Sequence, residues 1–191
     1  MRSIAFLPLL LLASVAANAH AADVQETGAG AWPLTPRDRP GLELVLQLVV
    51  TCSDPENPGG SGRAKDGIRT EIWPIIGGRF QGKGIRGEVI AGGGDFPVVR
   101  PDGVEVVDAL YRLRTDDGVT IIIHNRGLAY PDDARGGWHY RLTPEFIAPV
   151  GAYEWLNSHL FIATLSDAPP TMGLAQGPHQ NDRLIQIYQV L

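Results

Sequence analysis

The sequence predicts an all-β protein, a single antiparallel β-barrel of about eight to ten strands with little helix. Gly and Pro account for 23 and 15 of the 191 residues, so turns break the chain often. The segments between the turns alternate apolar and polar residues, as half-buried strands do. No longer window combines a helical period with helix caps. A sandwich or a barrel fits this pattern, and we favour the barrel because closure removes exposed strand edges.

Residues 1–21 predict a secretory signal peptide. Arg2 gives a positive start, the apolar run Ile4–Ala17 follows, and A-x-A cleavage sites end at Ala19 and Ala21. The apolar run is shorter than the roughly 20 residues that span a bilayer. We therefore expect cleavage and export to the periplasm or outside the cell, with no membrane attachment of the mature chain. The alternative, an uncleaved anchor, is disfavoured because the A-x-A sites are well placed.

The barrel domain is predicted over 41–191, after an irregular lead-in over 22–40. Gly41–Cys52 forms the first strand, in which an alternating set of apolar residues faces inward. That inward set is Leu42, Leu44, Leu46, Leu48 and Val50. The segment Ser53–Asp66 is rich in Pro and Gly and predicts a long loop, either a flap over a site or a plain connection.

The rest of the chain continues in the same rhythm. Gly92–Asp95 predicts a turn, and Asp116–Gly118 predicts a hairpin connection because Asp-Gly favours tight turns. The remaining strands are predicted over Ile68–Ile76, Arg79–Ile90, Val104–Thr115, Val119–Asn125, Gly137–Thr143, Ser158–Ser166 and Arg183–Leu191.

Composition excludes some classes of function. The formal net charge is −5, which argues against non-specific nucleic-acid binding. Cys52 is the only cysteine, so no internal disulfide can form. We interpret Cys52 as a packed strand residue, with a catalytic thiol as the alternative. Gly82–Gly87 spells G-x-G-x-x-G, but a strand pattern follows it where a dinucleotide site needs a helix. We interpret these glycines as bends in a strand.

Metal binding is also not predicted. The histidines beyond the leader do not pair at the short spacings that aim two imidazoles at one ion. His124 and His139 could still meet across a sheet, although separate histidines are favoured. We therefore predict no metal and no cofactor.

Polar and aromatic residues are dense between Arg79 and Asn157. Alternate residues of a small barrel point into its lumen. A lumen lined by Trp, Tyr and a few Arg suits a flat aromatic molecule with a negative group, since arginine matches carboxylates with two parallel hydrogen bonds.

Several short blocks carry a family resemblance. They are Ile75–Gly82, Ile85–Val89, Gly92–Asp95, Arg100–Gly103, Thr115–Gly118, Asn125–Gly127 and Tyr153–Asn157. Their order resembles that of DUF3237 proteins from about Leu42 to Leu191. The resemblance implies a β-barrel, often oligomeric, so we expect homo-oligomers. The leader departs from most members, and Pro131–Gly137 is shorter than in many relatives.

The resemblance also implies a function. Some members resemble cofactor-independent lyases, including decarboxylases of lignin-derived phenylcoumaran acids. We therefore expect an exported decarboxylase-type lyase for a small aromatic or phenolic carboxylic acid. Tyr111 or His139 would act as the general acid or base, and Arg86 or Arg114 would hold the carboxylate. The remaining candidates are Asp95 and Asn157, which would orient the substrate, and Trp138 and Trp155, which would stack on its ring.

Each assignment has a structural alternative. Asp95 would cap the glycine turn, Trp155 would belong to the core, and Asn157 would brace a strand end. Two other functions also stay open: a non-catalytic periplasmic barrel that binds a small aromatic or lipid-like ligand, and an interaction module with a filled barrel. Turnover separates the enzyme from the carrier, and a cavity separates both from the interaction module.

Overall fold

A computed structural model describes residues 39–58, 65–131, 136–168 and 181–191. The predicted leader, the lead-in up to residue 38, and parts of the segments Ser53–Asp66 and Pro131–Gly137 lie outside these ranges. One compact unit extends from Pro40 to Leu191. Within the described ranges, no helix is long and apolar enough to cross a membrane.

The described residues contain ten strands and, between the eighth and the ninth of them, a short 3₁₀ helix. The strands are β1 Leu42–Cys52, β2 Arg69–Thr70, β3 Trp73–Gly82, β4 Ile85–Asp95, β5 Val98–Val99, β6 Glu105–Thr115, β7 Thr120–Pro131, β8 Trp138–Ile147, β9 Phe161–Asp167 and β10 Asn181–Val190. The 3₁₀ helix is Glu154–Asn157.

The eight long strands close into a ring. Their order around it is β1, β3, β4, β6, β7, β8, β9, β10 and back to β1, and neighbouring strands are antiparallel. The two-residue strands extend the sheet, with β5 on β6 and β2 on β5. The predicted antiparallel barrel with little helix is therefore confirmed. Closure gives each long strand a neighbour on both sides, although within the described residues β8 and β9 pair only at Leu142 and Ala163.

Alternation along each strand fills the barrel. On β6, Tyr111 and Leu113 are buried while Arg112 and Arg114 point outward. The inward set predicted for β1 is right only in part, because Leu42 and Leu44 are exposed. The pairing of β1 with β10 shifts by one residue between Leu44 and Leu46. An extra residue in a strand reverses which side chains face inward, so the inward face begins after this bulge.

Two glycine-rich segments refine their predictions. The glycines of Arg79–Ile90 interrupt this segment and divide it into two strands, since β3 ends at Gly82 and β4 begins at Ile85. Gly84 has a φ of +67° in the connection between them, a backbone region that favours glycine. Gly92–Asp95 is not a turn but the last part of β4.

The predicted hairpin connection at Asp116–Gly118 is confirmed. Its Gly118 N–H donates to the Thr115 carbonyl oxygen at 2.8 Å. Gly118 has a φ of +88°, which a residue with a side chain rarely adopts. The connection joins β6 to β7, which pair as an antiparallel hairpin.

The two ends of the barrel differ in structure. At the helix end, where β8 finishes and β9 begins, the Phe146 and Phe161 rings meet edge to face at 5.2 Å. Leu156 of the 3₁₀ helix belongs to the same buried core. At the other end, which we call the cavity end, β1 and β4 finish and β6 and β10 begin. The candidate site lies there.

Candidate functional site

The cavity end contains two adjoining spaces. The inner chamber lies inside the barrel and has a volume of about 100 Å³. The vestibule lies toward the mouth and has a volume of about 630 Å³. Both spaces share six lining residues, which are Glu71, Trp73, Glu105, Tyr140, Leu165 and Arg183. The polar groups that line the inner chamber alone are Cys52, Asp95, Tyr111 and Asn125.

One row of paired residues across β4, β6 and β7 explains the chamber. Asp95 pairs with Ala109, and Ala109 pairs with Asn125. The small Ala109 side chain between two polar neighbours leaves space that a larger residue would fill. Tyr111 lies two residues further along β6, so its side chain faces the same space beside Asn125.

The glycines of β4 allow the close approach of β4 to β6. Pairing between the two strands is irregular from Ile90 to Gly94, where β4 carries two residues more than β6. A Cβ atom added at Gly93 would lie 2.5 Å from the Tyr111 Cβ. Any side chain at Gly93 would therefore displace Tyr111.

Two carboxyl groups of the site have pKa values raised toward neutral. Burial raises the pKa of Asp95 to about 6, although the Asp108 N–H donates to its Oδ1 at 3.0 Å and opposes the shift. Burial also raises the pKa of Glu105 to about 7, and the negative charges of Asp95 and Glu71 add to this effect. Carboxyl groups with pKa values near the working pH are suited to general acid–base catalysis.

Arg183 supplies the positive charge of the site. Its guanidinium carbon lies 5.6 Å from the centre of the Trp73 ring. Its Nη1 donates to Asp167 Oδ1 at 2.9 Å, and the Asp167 side chain is 89% exposed. A solvent-exposed counter-ion contributes little to such a pair. Arg183 is therefore available to bind an anionic group that enters the vestibule.

The remaining polar groups are largely neutral at neutral pH. Burial raises the pKa of Tyr111 above its usual range, and the neighbouring Asn125 side chain partly opposes this. Burial also raises the pKa of the Cys52 thiol to about 11 and that of Tyr140 to about 12. Cys52 is buried at the end of β1, as its strand pattern predicted. A protonated thiol is a poor nucleophile, which disfavours the alternative role of Cys52.

Three of the predicted site residues lie at these spaces. Asp95 and Tyr111 line the inner chamber, and Trp138 lines the vestibule. His139 follows Trp138 on β8 but lines neither space, and its ring lies against that of Tyr130, with the ring centres 5.0 Å apart and the planes tilted by 36°. His124 and His139 do not meet across the sheet. His124 pairs with Glu145 and His139 pairs with Tyr130, so the two histidines lie several residue pairs apart along β7 and β8.

The predicted carboxylate-binding arginines lie outside the lumen. Arg86 Nε contacts Asp116 Oδ2 at 2.7 Å, and Arg114 Nη1 donates to Glu88 Oε1 at 3.3 Å. The structure corrects the expectation that they line the lumen, because both occupy outward positions of their strands.

The two candidates from the 3₁₀ helix lie at the helix end. The Asn157 side chain accepts from the Ala148 N–H at 2.8 Å and donates to the Ala148 carbonyl at 2.9 Å. These two hydrogen bonds brace the chain just after β8, which is the structural alternative given above for Asn157. The Trp155 ring packs edge to face on Phe161 at 6.1 Å and belongs to the margin of the core. Neither residue lines the inner chamber or the vestibule.

Sequence reasoning missed several lining residues, of which Arg183 and Glu105 matter most. A signal for both was present. Arg183 alternates with Ile185 and Ile187 in the last predicted strand, and Glu105 alternates with Val107 on β6. A charged residue in phase with buried ones at a strand end is a candidate for the mouth of a barrel.

A larger groove outside the barrel has less to offer a ligand. It measures about 810 Å³ and lies near the β3–β4 connection and Tyr153. Its polar groups already pair with each other: Lys83 forms an ion pair with Glu43 at 2.8 Å, and the Tyr153 hydroxyl donates to Asp117 Oδ1 at 3.0 Å. Within the described residues, no group of three His, Cys, Asp or Glu side chains is placed to hold a metal ion.

Comparison with known proteins identifies the family. The DUF3237 family, described as "Protein of unknown function", matches residues 40–169. The chain belongs to the DUF3237 family. It is 34% identical over 141 residues to a UPF0311 protein of Clostridium acetobutylicum, covering 66% of this chain and 86% of the relative. It is 30% identical over 167 residues to a UPF0311 protein of Rhodopseudomonas palustris, covering 80% of this chain and 99% of the relative.

Solved structures agree with this membership. A crystal structure of a protein with unknown function from Clostridium acetobutylicum superposes with a TM-score of 0.66 and 27% sequence identity. The match covers 80% of this chain and 98% of that one. The DUF3237 barrel thus extends over nearly all of the compact unit.

Proposed function

We propose that this DUF3237 protein is a cofactor-independent lyase that removes CO₂ from a small aromatic or phenolic carboxylic acid. One observation carries the proposal: two carboxyl groups with pKa values of about 6 and 7 share a partly buried cavity with one arginine. Decarboxylation needs a proton donor, a site for the carboxylate and exclusion of water. Glu105, Arg183 and the apolar chamber wall correspond to these needs. The proposal keeps the export predicted from residues 1–21.

The volumes set the orientation of the substrate. A cavity of roughly 150 Å³ can hold a benzene molecule, so the inner chamber of about 100 Å³ holds only a functional group. The vestibule of about 630 Å³ lies within the usual range of small-molecule sites, roughly 300–1,000 Å³. The aromatic body would therefore lie in the vestibule against Trp73, Trp138 and Tyr140.

The reaction can be written with these groups. Arg183 holds the substrate carboxylate, and protonated Glu105 donates its proton to the substrate carbon to which the carboxylate is attached. The bond between this carbon and the carboxylate carbon breaks, CO₂ leaves, and the electron pair of the bond stays on the substrate. A hydrogen thus replaces the carboxylate, and Glu105 regains its proton from solvent. Asp95, with the lower pKa, carries more negative charge at neutral pH, and this charge helps to keep Glu105 protonated.

A mass-spectrometric assay tests this function. The mature protein, without added metal or cofactor, is incubated with phenolic and phenylcoumaran carboxylic acids, and products lighter by one CO₂ are sought. Glu105→Gln and Asp95→Asn should each lower turnover, by roughly 10²- to 10⁴-fold. Glu88→Gln and Glu145→Gln are matched controls on the outer face and should keep wild-type turnover.

The second candidate is a non-catalytic carrier for a small aromatic ligand. The apolar side chains of the inner chamber favour it, since an apolar wall binds a ligand without chemistry. Retention of a panel acid without turnover would favour the carrier over the lyase. If the protein neither converts nor retains any acid of the panel, both proposals are contradicted.

A further inference from the structure

Two buried polar atoms of the inner chamber have no hydrogen-bond partner within 3.5 Å, although the Asn125 side chain lies close enough to Tyr111 to oppose part of the rise in its pKa. They are Tyr111 Oη and Asn125 Oδ1, and no other buried side-chain nitrogen or oxygen of the described residues shares this state. Tyr111 is 2% exposed and Asn125 is 1% exposed. Buried polar groups in native proteins are nearly always paired, because burial without a partner is unfavourable. Two such atoms in one chamber therefore indicate a ligand group that pairs with them.

The hydrogen-bonding capacities of these two atoms define that group. Asn125 Oδ1 can only accept, whereas a tyrosine hydroxyl can donate as well as accept. A ligand hydroxyl would donate to Asn125 Oδ1 and accept from Tyr111 Oη. A carboxylate has no proton to donate to Asn125, and at this depth it would also face Asp95. A methoxy group likewise lacks the proton.

We propose that Tyr111 and Asn125 form a hydroxyl-binding subsite that selects hydroxylated aromatic acids and orients them with the hydroxyl group innermost. Arg183 lines both the chamber and the vestibule, so it would meet the carboxylate nearer the mouth. The carboxylate end of this orientation rests on the proposed function. The hydroxyl end rests on the two unpaired atoms alone.

A binding experiment tests the subsite without requiring turnover. The probes are 4-hydroxybenzoate and 4-hydroxycinnamate, each compared with its unsubstituted and its 4-methoxy analogue by calorimetric titration. The wild-type protein should bind the hydroxylated probes at least 10-fold more tightly. Sites built to pair a hydroxyl reject analogues that lack it by such factors or larger.

Three variants assign the preference to its residues. Tyr111→Phe and Asn125→Leu should each reduce the preference for the hydroxyl, and the double variant should bring it close to one. Tyr188→Phe changes a β10 residue that lines neither space and should keep the full preference. Tyr111→Phe should also leave the melting temperature of the free protein unchanged or raised, because it removes an unpaired buried hydroxyl. This readout needs no ligand.

The outcomes separate the two proposals. Equal affinity for hydroxylated and unsubstituted probes, or no binding of either hydroxylated probe at millimolar concentration, would overturn the subsite. Turnover combined with equal affinities would leave the lyase and remove the subsite. A hydroxyl preference that depends on Asn125, without CO₂ release from any acid, would leave the subsite and remove the lyase.

Discussion

The helix end and the cavity end of this barrel are built from the same strands but filled differently. On β6, Leu113 near the helix end is fully buried among apolar side chains, whereas Ala109 at the cavity end has Asp95 and Asn125 on either side. Close packing at one end supplies stability that the polar other end does not. Functional sites are where local rules of folding are most often broken, so this difference is the reason that we place the candidate site at the cavity end.

The largest expected effect comes from one substitution made in two places. Ala163→Leu adds volume to a packed inward position of β9 and should cost about 1–3 kcal/mol of unfolding free energy. Ala109→Leu adds the same volume to the inner chamber, so its cost should stay within about 1 kcal/mol. Urea unfolding of both variants measures the contrast.

For ligand affinity, Ala109→Leu should have the large effect and Ala163→Leu the small one. A leucine at position 109 fills the chamber and should lower the affinity of any acid that the wild-type protein binds by at least 10-fold. Ala163→Leu should keep that affinity, since Ala163 lines neither space. Equal destabilisation by the two variants would show that both ends are packed alike.

The pH dependence of stability is the next effect in size. In the folded protein the pKa values of Asp95 and Glu105 are about 6 and 7, above ordinary values of 3.8 and 4.5. The folded state therefore binds more protons than the unfolded state between these limits, and stability falls as pH rises from about 4 to 7. The melting temperature should fall by a few degrees over this range.

A double variant tests the cause of this fall. Asp95→Asn with Glu105→Gln removes both raised pKa values, and the melting temperature of this variant should change less with pH. Glu145→Gln, which alters an exposed carboxylate paired with Arg126, should leave the wild-type slope. The same slope in all three proteins would assign the pH dependence to other groups.

Strand alternation made the fold predictable, but it did not predict which residues of distant strands meet at the site. Asp116–Gly118 was recognised because Asp-Gly connects hairpin strands, a local rule. The outward position of Leu44 was missed because it depends on a bulge against β10, far away in sequence. Arg114 was chosen by residue type, although its alternation with the inward Tyr111 and Leu113 already placed it outside. Ring closure, which sequence order alone does not state, brings Arg183 to Trp73.

The smallest expected effect concerns Arg114. Its bond to Glu88 joins two side chains that are 51% and 60% exposed, and exposed pairs of this kind contribute about 0–1 kcal/mol. Arg114→Ala should therefore leave binding and turnover unchanged and lower stability only slightly. Arg183→Ala should weaken the binding of carboxylate ligands at least 10-fold, because this arginine faces the cavity. Calorimetric titration of both variants with one acid measures the difference. Loss of binding in Arg114→Ala alone would move the carboxylate site to the outer face of β6 and away from the inner chamber.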